Sequence, residues 1–148
     1  MNRRLISLLL SLCFIFCLDQ IIKTFFLEGF RWQGEFFSLI LTYNKGVAFS
    51  MFAFLEEYLK YIQLLLVGSL GIYLFFNKEI FHLYAFPIGI IAGAALSNIY
   101  DRFIHGGVVD YFFWHYGFEF AVFNFADVMI DFGVLLILYR SWKASEKA

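Results

Sequence analysis

Charged residues are scarce in this chain: 16% of its 148 residues are Asp, Glu, Lys or Arg, whereas 62% are hydrophobic. A soluble domain of this length has too much surface for its volume to hide so much apolar side chain. The composition therefore excludes an ordinary water-soluble domain and requires lipid as the solvent. With a formal net charge of −1 there is no broad basic face, so nucleic acid is not an expected partner. Cysteine is confined to Cys13 and Cys17, one helical turn apart within the first apolar run, which excludes a disulfide framework and leaves both as apolar packing residues. His82, His105 and His115 are scattered without ligand spacing, so neither a metal nor another cofactor is expected. Ser97 lacks a G-x-S-x-G setting and a neighbouring base, which argues against serine-protease chemistry. There is no internal repeat and no low-complexity segment.

What is present is apolar run after apolar run. Four stretches are long enough to cross about 30 Å of hydrocarbon at about 1.5 Å per residue. They lie at about residues 5–25, 58–76, 81–100 and 123–139. Bulky Leu12 and Phe16 precede the two cysteines and no small-x-small pattern follows Arg3-Arg4, so the first run is expected to be a retained membrane helix. Only Asn77-Lys78-Glu79 separates the second and third runs, which makes them an antiparallel hairpin. Arg3, Arg4, Lys78, Arg140, Lys143 and Lys147 then fall on one side, expected to be cytoplasmic with both termini. Segments of about residues 26–57 and 101–122 face outward. The first contains Phe36–Tyr43, rich in aromatic and β-branched residues and followed by an Asn44-Lys45-Gly46 turn, which predicts a small sheet on the membrane surface. Trp32, Trp114 and Tyr116 suit the interface. The whole is one domain.

Ionisable groups inside spans are costly and mark function by default. Asp19 lies roughly 22 Å along a helix from Arg4, Asn98 roughly 27 Å from Ile80 and Asp127 roughly 20 Å from Arg140. Three helices thus bring polar groups to one depth near the outer leaflet. Asn124, Asp127 and Asp131 share a helix face at i, i+3, i+7. Asn98, Asp101 and Arg102 cluster at the end of the third run. Beyond them, Gly106-Gly107 can turn the chain so that Asp110 folds back towards Asp127. Two carboxylates held close cannot both ionise cheaply, so they share a proton. One can then activate water while the other protonates a leaving amine.

Taken in order, these pieces resemble the lipoprotein signal peptidases, the signal peptidase II family. The resemblance rests on Asp19-Gln20 with Lys23, on Asn44-Lys45-Gly46-Val47-Ala48-Phe49-Ser50 and on Gly93-Ala94-Ala95-Leu96-Ser97-Asn98. It continues through Asp101-Arg102, Gly107-Val108-Val109-Asp110-Tyr111 and Phe123-Asn124-Phe125-Ala126-Asp127 to Gly133, nearly the whole chain. It implies a four-helix membrane protein with an external β-cradle, and a single-chain aspartyl endopeptidase with Asp110 and Asp127 as catalytic residues. Asp19, Lys23, Asn44, Gly46, Asn98, Arg102 and Asn124 match positions that bind substrate or brace the site, and Asp101 is expected to be structural. The implied substrate is a diacylglyceryl-modified prolipoprotein, cut N-terminal to its lipidated cysteine in the bacterial inner membrane. Membrane lipids and globomycin-type cyclic peptide inhibitors are the other implied partners. The family usually has glycine where Ala94 stands and often where Ser97 stands, and its pattern does not require Asp131.

For Asp19 with Lys23, a structural i, i+4 ion pair and a direct substrate role are both open at this level. A second function class is a small proton- or ion-coupled transporter using Asp19, Asp127 and Asp131 as a relay, which would need polar groups through the depth of the membrane.

Overall fold

A computed structural model describes residues 3–46 and 55–146. Residues 47–50 of the Asn44–Ser50 motif and the basic Lys147 lie outside this range. The element order is α1 (Arg3–Leu27), β1 (Trp32–Gln33), β2 (Phe37–Asn44), α2 (Glu56–Phe76), α3 (Lys78–His105), β3 (Val108–Trp114) and α4 (Phe125–Ser145). Among the described residues, α1, α2 and α3 are long and apolar enough to cross a membrane. At about 31 Å, α4 has the length as well. Its charged side chains, Asp127, Asp131, Arg140 and Lys143, are spread along most of its length and leave no long uncharged stretch.

Apolar side chains on these helices point outward rather than into a core. Leu10, Phe14, Leu65, Phe75 and Leu135 are all more than half exposed, an arrangement that only an apolar surrounding stabilises. The helices meet through small residues instead, as in lipid, where close backbone approach replaces hydrophobic collapse. A Cβ on Gly93 would lie 2.4 Å from the Leu12 carbonyl oxygen of α1, and one on Gly133 would lie 2.5 Å from Ile91. Ala94, fully buried, joins Ile15, Ile90 and Ala126 where α1, α3 and α4 meet. Alanine thus satisfies the packing requirement at that position.

The predicted hairpin is tighter than expected, because Asn77 alone interrupts the helices. At the other end α3 continues past Tyr100 to His105, so Asp101 and Arg102 are helical rather than part of a loop. Gly106, at φ 73°, stops the helix in the left-handed conformation that glycine adopts without penalty. The chain then returns not as a loop but as β3, antiparallel to β2, with Asp110 opposite Thr42 and Val108 opposite Asn44. The predicted strand over Phe36–Tyr43 is β2, central in the order β1-β2-β3. β3 was not foreseen, since Val108–Trp114 has no clear alternation and its partner lies far back in sequence.

At the opposite end of the bundle Arg4, His82, Arg140 and Lys143 line a common hollow, with the Arg140 guanidinium donating to the Leu83 carbonyl at 2.9 Å. The basic residues thus gather at one end and the sheet at the other.

Candidate active site

Construction of the site begins with the first turn of α4. A helix leaves its first backbone N–H groups without internal partners, and here other elements take up two of them and the helix's own cap a third. Phe125 N–H donates to Tyr111 Oη of β3 at 2.9 Å, Ala126 N–H to Asp19 Oδ1 of α1 at 2.9 Å, and Asp127 N–H to Asn124 Oδ1 at 3.0 Å. Asp127 Oδ2 accepts the Asn124 N–H in return at 3.1 Å, completing a reciprocal capping box. The N-terminus of α4 is therefore pinned to α1 and β3, and Asp127 is held in position by its own helix cap.

Behind this turn lies a buried charge cluster. Lys23 Nζ sits 2.6 Å from Asp19 Oδ2, 2.6 Å from Asp101 Oδ2 and 2.8 Å from Asn98 Oδ1, and all three charged groups are fully buried. Asp101 also accepts from Gln20 Nε2 at 2.8 Å and from the Val109 N–H at 3.1 Å, tying α3 and α1 to the start of β3. Ser97 donates to Asp19 at 2.7 Å and accepts from Gln20 at 2.8 Å. Every carboxylate here has a cation and hydrogen-bond donors, which buried charge requires.

On the open side, Asn98 Nδ2 donates to Asp127 Oδ1 at 2.9 Å. Asn124 Nδ2 donates to Asp110 Oδ1 at 2.6 Å and to Asn98 Oδ1 at 3.2 Å. Asp110 and Asp127 therefore share Asn124 as a common partner. Burial, followed by the charge of Asp127, pushes the Asp110 carboxyl up to about 7, against opposing hydrogen bonds from Asn44 and Asn124 and the charge of Lys23. The buried Arg102 donates to the Asn44 carbonyl at 3.4 Å and to the Gly46 carbonyl, bracing the turn after β2. In that turn the Gly46 N–H donates to Asn44 Oδ1 at 3.0 Å.

A cavity of about 510 Å³ opens onto this cluster, and Asn44, Asn98, Arg102, Asp110, Asp127 and Asp131 all line it. Of the residues predicted to bind or brace, Asp19, Lys23, Gly46 and Asn124 do not line it, and neither does Asp101, expected to be structural. They stand behind those that do. For Asp19 and Lys23, left open between ion pair and substrate contact, the geometry is that of an ion pair reaching α4. Asp131 is exposed on the cavity wall one turn below Asp127.

Three residues were passed over in the sequence as carriers of function. Ser97 reads in sequence as a poor nucleophile and a small replacement for glycine, yet its hydroxyl joins Asp19 to Gln20. Its position one helical turn before Asp101 was the available signal. Tyr111 holds the Phe125 N–H, which nothing in its local sequence indicates. Gln63 lines the cavity from α2, and its signal was being a lone amide within an apolar run.

Fold and cavity together define an integral membrane protein with a polar site at one end of its bundle. The profile of the family described as signal peptidase (SPase) II matches residues 11–143. The lipoprotein signal peptidase of Sulfurimonas denitrificans is 58% identical over 142 residues, covering 95% of this chain and 91% of that protein. That of Wolinella succinogenes is 56% identical over 128 residues, covering 86% and 88%. A solved structure of a bacterial membrane enzyme superposes with a TM-score of 0.78 at 25% identity, over 95% of this chain and 90% of the other. The chain belongs to the signal peptidase II family. This is a family of membrane proteases that cleave signal peptides from prolipoproteins.

Proposed function

We propose that this protein is an aspartyl endopeptidase that removes the signal peptide of diacylglyceryl-modified prolipoproteins by cutting N-terminal to the lipidated cysteine, with Asp110 and Asp127 as its catalytic pair. The observation that carries this reading is the shared cavity: the two carboxyl groups line it together, both accept a hydrogen bond from Asn124, and Asp110 holds its proton up to about pH 7. A water between them loses its proton to the ionised carboxylate as it attacks the scissile carbonyl. The protonated carboxyl hydrogen-bonds that carbonyl and then supplies a proton to the departing amine. Asn98 and Asn124 fix the orientation of both acids by donating to them. Arg102 and Asn44 hold the strand end beside Asp110.

Placement agrees with such a substrate. The basic residues Arg4, Arg140 and Lys143 gather at the end away from the site, which favours a cytoplasmic location for that end in the bacterial inner membrane. The site then sits near the outer leaflet, where a lipidated cysteine keeps its acyl chains among lipid tails and its peptide bond near water. Globomycin-type cyclic peptides would occupy the same cavity. Among the described residues, Ser11 is the one buried polar side chain deeper along α1 than this cluster, a poor basis for a transport relay.

The test is cleavage of a purified lipidated precursor. Either Asp110→Asn or Asp127→Asn is expected to abolish turnover while the protein still inserts and binds substrate, and normal turnover by both would remove the assignment. Asp131→Asn is expected to keep its activity, and a chelator to change nothing.

A further inference from the structure

The polar groups of the cavity come almost entirely from β2, α3, β3 and α4. Gln63 is the exception. It stands on α2, which packs principally on α3. Its side-chain oxygen is shut off from the surface and, among the described residues, accepts no hydrogen bond. A buried amide oxygen left unpaired is unfavourable in the resting protein, whereas the amides beside the acids, Asn98 and Asn124, are bonded to them and to each other. Gln63 lies about 10 Å down α2 from Glu56, and Asp131 about 9 Å down α4 from Phe125. Gln63 lines the cavity about two helical turns from the end of α2 that follows the sheet segment.

An unpartnered acceptor requires a donor. The diacylglyceryl group contributes ester carbonyls, which accept only, so the lipid part of a precursor cannot satisfy it. An extended peptide can. A chain threaded between the acids has N–H and C=O groups that are withdrawn from water and must find partners. A glutamine amide offers an acceptor oxygen and a donor NH2 group, which can pair with the N–H and C=O of a single extended residue. A signal peptide rising from the far end of the bundle passes Gln63 just before reaching Asp110 and Asp127. We infer that Gln63 is a positioning residue that hydrogen-bonds the signal-peptide backbone immediately N-terminal to the cut, from the α2 wall of the cavity. This rests on the proposed function above.

The experiment uses Gln63→Met, which keeps length and volume but removes both hydrogen-bonding groups. Because the contact is equal in bound substrate and transition state, its loss raises KM with kcat little changed. A tenfold to thirtyfold rise is expected, the range for one or two lost hydrogen bonds. The uncleaved precursor should bind Asp127→Asn/Gln63→Met more weakly than Asp127→Asn by the same factor. Because the resting amide has no partner to lose, the unfolding midpoint should stay level or rise. Since the bond is to backbone, the loss should be the same for precursors altered in the side chains before the cut. Unchanged KM and binding would overturn the assignment, as would a fall in kcat accompanied by a lower unfolding midpoint, which marks a structural role. Cleavage by Asp127→Asn alone would defeat the proposed function instead, and the two failures are read in different variants.

Discussion

Replacing Lys23 with methionine is the most severe conservative perturbation the structure offers. Methionine fills the same apolar space but removes the one cation lying 2.6 Å from both Asp19 and Asp101. The two carboxylates keep their other donors: Ser97 and the Ala126 N–H for Asp19, Gln20 and the Val109 N–H for Asp101. They lose their counter-charge while fully buried. Removing one partner of a buried ion pair costs about 3–5 kcal/mol. With two acids stranded but still hydrogen-bonded, about 4 kcal/mol is expected, near a thousandfold in the folding equilibrium. In a chain of this size that lowers the unfolding midpoint on the order of 10 °C. The assay is thermal unfolding of detergent-purified protein followed by tryptophan fluorescence. The companion variant Asp19→Asn/Lys23→Met/Asp101→Asn, which removes all three charges, should regain most of the loss. A shift below about 1 kcal/mol for Lys23→Met would show that water reaches these acids, and bracing of α4 and β3 by a dry cluster would be refuted.

Further outcomes concern pH and packing. Asp110, raised to about 7, binds its proton more tightly folded than unfolded, so its contribution to stability falls as pH rises from about 4 to about 7. Activity requires that same proton, so kcat/KM should decline on an alkaline limb near pH 7. Asn44→Ala removes a hydrogen bond that lowers the Asp110 value and should move the limb upward; a downward move would contradict the assignment of that proton. Gly93→Ala places a Cβ against the Leu12 backbone and should cost about 1–3 kcal/mol in the unfolding assay, whereas Gly71→Ala, with nothing within 4 Å, should be neutral or slightly stabilising.

The sequence alone determined the solvent and much of the site. Scarce charge demanded lipid, and apolar run lengths then placed the four helices, with ends off by as many as six residues, because spanning a bilayer is a requirement on composition and length that neighbouring residues satisfy locally. Helical rise likewise put Asp19, Asn98 and Asp127 at one depth, where the structure indeed joins them through Lys23, Asn124 and the N-terminus of α4. Only the tertiary structure decided that Val108–Trp114 is a strand, since its pairing partner lies some 70 residues earlier in the chain. It alone separated the groups lining the cavity from those behind it: Asp19 and Lys23, open in sequence between an ion pair and a substrate contact, are enclosed in space. Ser97, Tyr111 and Gln63 acquired meaning only there as well. A side-chain hydrogen bond depends on which helix faces which, and no local pattern carries that information.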